Sequence, residues 1–333
     1  MIEANENIAI TSRIRLARNV KGYNFPHKLD NENAYNLMKK TYDVINNKGS
    51  FSMHVIAQMS ELERESYVER HLISPNLAKS SRIGAVLVGS DKKTSIMLNE
   101  EDHIRAQYIE NGFSLESAYK GIKTLDVKLS TALNISYDTE LGYITCCPTN
   151  LGTGMRASVM LFLPMLTISG EIGRMVQALT RRYITVRGSY GEGSKAGGFM
   201  YQVSNQVSLG VSESETLNAV TTAVSSILKE ETRLMQASFA SATAEWTDKI
   251  MRAKGILTNA YKMSSIEFLQ LFSNLKIGVA LGVISCKDIT IFNKLYENIL
   301  PANLSLLNNK VLQEAERDIV RAKYVREMLN KII

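Results

Sequence analysis

Apolar positions repeat along this 333-residue chain with periods of about two and about 3.6, and the alternation between the two outlines its elements. In the stretch from Ile8 to Asn19 the period is two, so an extended segment projects Arg13 and Arg15 from one face and Ile14 and Leu16 from the other. From Asp30 to Ile45 the period lengthens: Ala34, Leu37, Met38, Tyr42 and Ile45 mark a helix, and Asn46 to Gly49 supplies its closing turn. Ser60 and Glu63 form a capping box for a second helix. Strands return over Ile83–Gly89 and Thr94–Leu98, joined by the polar turn 90–93. Ser114 opens a helix with Leu115, Ala118, Ile122 and Leu125, and Leu141, Tyr143 and Thr145 alternate as a short strand. A buried element over 157–164, a helix over Ile168–Leu179 and a strand over Tyr183–Arg187 follow. A second capping box, Ser212 to Glu215, starts a helix with Leu217, Val220, Val224 and Ile227. Beyond residue 240 every pattern is helical, including Ile266–Phe272 and Asn309–Leu329.

The length favours two domains, because single cores rarely grow beyond ~250–300 residues. The wholly helical stretch beyond residue 240 divides the chain into 1–240 and 241–333. Apolar residues make up 45% and charged residues 22%, enough to bury a large core and to argue against disorder. A net charge of +6 favours anionic partners in general: nucleotide phosphates, nucleic acid or an acidic protein surface. The polar start Met1–Asn7 lacks the pattern of a signal or transit peptide. The longest apolar run, Ile277–Ile284, is far short of the ~20 residues that span a bilayer. Three cysteines, two of them adjacent, give neither a disulfide framework nor zinc spacing. A cytoplasmic protein without a membrane or a bound structural metal is the expectation.

Candidate chemistry gathers where strands end. Arg13 and Arg15 make either a polyanion site or the charged margin of an edge strand. Asn99–Arg105 packs Glu100, Glu101, Asp102, His103 and Arg105 behind a strand, as a catalytic cluster or as an acidic helix start. Cys147–Arg156 combines a thiol, a proline, Gly152, Gly154 and an arginine; the glycines permit left-handed angles and let main-chain N–H groups approach an anion. After Arg187, the stretch 188–198 is rich in glycine and carries Glu192. Gly188 and Gly193 have the step of a phosphate-binding loop, but Ser194-Lys195 reverses its Lys-Ser order and no helix follows, so a mobile flap is expected.

In this order, Thr-Ser-Arg13-Ile-Arg15, Asn99-Glu-Glu-Asp-His-Ile-Arg105, Cys147-Pro-Thr-Asn-Leu-Gly-Thr-Gly-Met-Arg156 and Val-Arg187-Gly-Ser-Tyr-Gly-Glu192 resemble the signature of the phosphagen (guanidino) kinases. The resemblance spans about residues 11 to 210. It implies an α+β catalytic domain, an antiparallel sheet flanked by helices as in phosphagen kinases and glutamine synthetase, that transfers the γ-phosphate of MgATP to a guanidinium. On that footing Arg13, Arg15, Arg105, Arg156 and Arg187 hold the nucleotide, while Glu101 and Glu192 clamp the acceptor with Cys147 beside it. Magnesium is expected on the nucleotide and no protein metal site is expected. Where small-molecule members carry a His, this chain has Met160, which leaves the adenine and ribose contacts open.

Small-molecule members also place a helical domain ahead of the first arginine motif, which here begins at residue 11. With the helical extension past 240, the chain is similar to the bacterial protein-arginine kinases (McsB type), whose acceptor is an arginine residue in another protein. In the last helix, Leu312, Ala315, Ile319, Ala322, Val325 and Leu329 form an apolar stripe and leave Arg317, Asp318 and Arg321 on another side. Alone, the trio reads as a salt-bridged solvated face. The resemblance makes it an allosteric phosphoarginine site through which product-bearing proteins raise activity. The family further implies a heat-shock repressor among the substrates, a zinc-containing activator protein, a Clp-type chaperone-protease that takes the marked proteins, and a homodimer. A kinase for free arginine and a basic nucleic-acid-binding regulator are the competing readings; the second lacks interleaved aromatics and a known binding module.

Overall fold

A computed structural model describes residues 7–46, 49–188 and 197–333. In chain order its strands are β1 (Ala9–Arg18), β2 (Phe51–Val55), β3 (Ala85–Gly89), β4 (Thr94–Leu98), β5 (Ile104–Asn111), β6 (Tyr137–Asp138), β7 (Gly142–Tyr143), β8 (Met155–Phe162), β9 (Ile184–Gly188) and β10 (Met200–Asn205). Eight of them form one sheet in the order β2-β3-β4-β5-β1-β8-β10-β9 with antiparallel neighbours throughout, and β6 with β7 makes a separate hairpin. The helices are α1 (Asn31–Ile45), α2 (Glu61–Glu69), α3 (Pro75–Ala78), α4 (Leu115–Ala132), α5 (Pro164–Ile168), α6 (Ile172–Thr180), α7 (Glu213–Ser241), α8 (Thr243–Asn259), α9 (Ser265–Ala280), α10 (Ile289–Asn298), α11 (Pro301–Leu307) and α12 (Glu314–Ile332).

Alternation along each strand decides what the two faces of the sheet do. Ile14 and Leu16 of β1, Ile96 and Leu98 of β4, Ala157 and Val159 of β8 and Val203 of β10 share one core, to which α1 contributes Leu37 and Met38, α4 Ile122 and Leu125, and α7 Val220 and Val224. The residues between them point the other way. Half of that second face, at Val86 and Met97, is covered by Ile56, Ile73 and Leu77 from the segment that holds α2 and α3. The other half carries the arginines. A second core joins α8, α9, α10 and α12 through Ile250, Phe268, Phe292 and Val325, and reaches the sheet at Ile10, Phe162 and Met200. The helical extension is therefore packed onto the ends of β1, β8 and β10.

Several expectations change in detail. β1 lies in the middle of the sheet, between β5 and β8, so Arg13 and Arg15 are not the margin of an edge strand. Asn99–His103 is a turn between β4 and β5, with Asn99 at φ 56°, and not a helix start. The helix expected over Ile168–Leu179 starts only at Ile172, as α6, because the chain breaks at Gly170 (φ 76°) after α5 ends at Ile168. The strand expected through Thr145 shrinks to the two residues of β7, and the last helix begins at Glu314 rather than Asn309. On α12 the buried stripe is Ala322, Val325, Leu329 and Ile332, whereas Ile319 is exposed and Arg321 is buried.

Candidate active site

Register brings the arginines together. Arg15 on β1 lies directly opposite Arg156 on β8; Arg105 on β5 pairs with Ala17, one step along the same face, and Arg13 pairs with Ser158. Arg187 on β9 faces Gln202 of β10, which in turn faces Met160. Burial, then Arg105 and Arg156, push Arg13 down to about 10. Burial, then Arg13, Arg105 and Arg156, lower Arg15, and only Glu100 opposes them. Burial, then Arg187 and Arg105, lower Arg156. Arg156 donates to Ser204 Oγ at 2.8 Å, yet its Nε and that of Arg15 are buried without a partner among the described residues. Such mutual repulsion is costly unless an anion answers it, and planar forks fit phosphate oxygens. Loss of solvation, then the charges of Arg13 and Arg15, lower the His71 imidazole to about 4.

Beside the arginines, the turn between β4 and β5 sorts its acids into different tasks. Glu100 is 7% exposed and is spent: it accepts from Ser74 Oγ at 2.6 Å, from the Glu101 N–H at 2.8 Å and from Arg105 at 2.8 Å. Its burial alone would raise it, but Arg105 and these hydrogen bonds hold it below the ordinary glutamate value. Asp102 is fully buried and accepts from Asn19 Nδ2 at 2.6 Å and the Cys146 N–H at 2.7 Å, tying the turn to the thiol loop. His103 takes the Val20 N–H on Nδ1 and donates from Nε2 to the Asn24 carbonyl. Both neighbours of Glu101 are thus fixed. Glu101 itself is half-exposed, 4.0 Å from Arg105 and 3.5 Å from Asn150 Nδ2, with the Cys147 thiol hydrogen-bonded to it. Burial and the charges of Asp102 and Glu100 outweigh Arg105 and the thiol, so its carboxyl is raised.

The glycines of the thiol loop have another role than a main-chain anion cradle. Gly152 (φ 103°) and Gly154 (φ 59°) are left-handed as expected, but a Cβ on Gly152 would lie 2.2 Å from the Ser208 carbonyl oxygen. At Gly154 it would lie 2.6 Å from Arg18 Nη1. The Thr153 N–H is spent on Ser208 O. Their freedom lets the loop pack tightly and so present Cys147 and Arg156. Arg18 holds the loop from behind: it grips Asp126 with two bonds of 2.8 and 3.0 Å, donates to Thr153 O at 3.1 Å and stacks on Tyr143 at 3.5 Å. Cys147 Sγ lies 3.0 Å from Thr149 Oγ1.

Of the residues singled out in the sequence, Arg13, Arg15, Arg105 and Arg156 share one face, Arg187 acts electrostatically on Arg156, and Glu101 adjoins Cys147. Glu192 lies outside the described residues. Sequence reasoning did not single out Ser74, Asn150, Ser204 or His71, and it gave Glu100 and Asp102 no task of their own; no motif marks Ser74 or His71. On α12 the trio is uneven. Arg321 is 2% exposed and is bonded to Asp318 Oδ1 at 2.6 Å, Met263 O at 2.9 Å and Ile299 O at 3.3 Å. Arg317 is half-buried, and its Nε is buried without a partner among the described residues.

Comparison with known proteins accounts for the whole length. The sequence profile of the ATP:guanido phosphotransferase C-terminal catalytic domain matches residues 33–234, and that of the protein-arginine kinase McsB C-terminal domain matches 243–333. The protein-arginine kinase of Clostridium tetani is 40% identical over 99% of this chain and 97% of its own length. That of Clostridium acetobutylicum is 41% identical over 98% and 97%. Among solved structures, the duplicated taurocyamine kinase of Schistosoma mansoni with bound transition state analog components superposes with a TM-score of 0.64 at 25% identity, covering 80% of this chain and 39% of that one. Lombricine kinase gives 0.61 at 22% identity, covering 71% and 68%, and bears on the fold alone.

Proposed function

The chain belongs to the ATP:guanido phosphotransferase family and, through its full-length relatives, to the protein-arginine kinases, and we propose that its arginine-lined face delivers the γ-phosphate of ATP to arginine residues of other proteins. The observation that carries this reading is the contrast between Glu100, fully engaged, and Glu101, raised and beside a cluster of cations with too few anions. A guanidinium has a pKa of about 12.5–13.8, so its nucleophilic form is roughly a millionth of the total at neutral pH, a handicap on the order of 8 kcal/mol. Glu101 accepts the proton as the nitrogen attacks phosphorus, the N–P bond forms, and the bond to the ADP oxygen breaks. A raised carboxyl suits that task better than an ordinary one. Arg13, Arg15, Arg105, Arg156 and Arg187 orient the phosphates and take up the charge that develops on the departing oxygen. Their unpartnered Nε groups fit a polyanion. Magnesium, expected on the nucleotide, would supply positive charge to its phosphates beside these arginines, which would hold the nucleotide.

The resemblance assigns the second carboxylate of the acceptor clamp to Glu192 and a third anionic contact to Cys147. We place the boundary between the catalytic and helical domains at 240/241, near the end of α7. Binding of phosphoarginine to Arg317, Asp318 and Arg321 would draw on Arg321 Nη2, because its Nε and Nη1 are already bonded within the protein. A heat-shock repressor as substrate, a zinc-containing activator, a Clp-type protease downstream, a homodimer and the cytoplasm as compartment complete the reading on family grounds. Phosphate transfer to an unfolded basic protein should exceed transfer to free arginine at equal guanidinium concentration. Preference for the free amino acid would replace this reading with a small-molecule kinase.

A further inference from the structure

Between the helical extension and the arginine face runs one short piece of chain, from the end of α2 to the start of α3. At one end, the Glu69 carboxylate accepts the N–H groups of Ala302 at 2.9 Å and Asn303 at 2.8 Å, where α11 begins. Ser66 Oγ adds a bond of 2.6 Å to Asn303 Oδ1, and Arg317 of α12 exerts its charge on Glu69. The chain then turns sharply at His71, whose φ is 56°. From there the Leu72 and Ile73 N–H groups return to Tyr67 O, while several carbonyl and side-chain contacts go to the active face. The His71 carbonyl accepts from Gln107, which stands beside Arg15 in the register; the Leu72 carbonyl accepts from Ser95; the charges of Arg13 and Arg15 act on the His71 ring. Ser74 Oγ holds Glu100, and Glu100 holds both Arg105 and the main chain of Glu101.

We propose that Glu69 is a positioning residue whose grip on α11 sets the place of His71 and Ser74, so that the helical extension controls the nucleotide cradle and the base through this strut. The inference rests on reading the arginine face as the ATP site.

Steady-state kinetics of the full chain with MgATP and an arginine-rich protein decide the matter. Glu69→Ala should raise KM for MgATP at least fivefold and lower kcat, while Glu65→Ala, exposed on the same helix, changes neither. A folded Glu69→Ala variant with a lower melting temperature but an unaltered KM has lost only packing, and overturns the proposal. If Glu69→Ala does not fold, Glu69→Gln keeps one acceptor oxygen and decides instead: a KM raised twofold or more supports the strut, and an unaltered KM overturns it. Combined with Ser74→Ala, the Glu69 change should add little to the effect on KM; full multiplication of the two effects overturns a shared route.

Discussion

Arg156 and Arg321 are the same side chain in opposite circumstances. Arg156 stands among Arg15, Arg105 and Arg187 and, among the described residues, bonds one serine and keeps a buried, unpartnered Nε. Arg321 is more deeply buried but its charge is answered, with Nε and Nη1 bonded to a carboxylate and two carbonyls. Burial alone therefore says little about function. Unanswered charge is the mark of a ligand site, because a fold tolerates it only where a partner of opposite sign is to come. A guanidinium already paired with a carboxylate serves the fold first, and offers a ligand only the donors left over.

The widest separation between the two should come from substitution by alanine. Arg156→Ala should lower kcat/KM for MgATP by roughly 10²–10³, the range for one donor to a developing negative charge. Its melting temperature should rise, since a repelling buried cation has gone; a fall in melting temperature would mean that the arginine face is self-sufficient. Arg321→Ala should lose about 2–3 kcal/mol of stability in denaturant unfolding, at or below the lower limit for a broken buried pair because Asp318 keeps some water. No loss would show that its bonds contribute nothing. Saturating MgATP sharpens the contrast: at 100 times Kd it should stabilise the wild type by about 2.7 kcal/mol, and far less after Arg156→Ala, in calorimetric melting.

The smallest effect concerns pH. His71 is held at about 4 against an ordinary 6.5, so between those values the unfolded chain binds a proton that the folded chain has shed. Stability should rise as pH climbs through this window and level off above it. His71→Gln should flatten that part of the melting profile. A profile unchanged by the substitution would remove the influence of Arg13 and Arg15 on the ring.

Alternation made the sheet legible: once Ile14 and Leu16 are assigned inward, Arg13 and Arg15 must share the other face. The same rule could not say that β1 is central, because strand order depends on partners far apart in sequence. On α12 the amphipathic pattern misled. Ile319 fits the stripe by spacing, but the helix is rotated so that Arg321 goes inward, where Met263 O and Ile299 O, both remote in sequence, satisfy it. Glu100 and Glu101 are identical neighbours in the motif, and only their surroundings separate the engaged acid from the available one. His71 and Ser74 belong to no motif and reach the site through a turn whose left-handed residue is a histidine, where glycine would have signalled it.

The most direct test is mass spectrometry, in acid-free conditions, of a basic protein incubated with MgATP and either the wild-type chain or Glu101→Gln. Phosphate on arginine side chains with the wild type, reduced by roughly 10²–10⁴ in rate with the variant, is the expected result. Phosphate confined to hydroxyl side chains, or arginine phosphorylation undiminished by the variant, would contradict the account of Glu101 as the base.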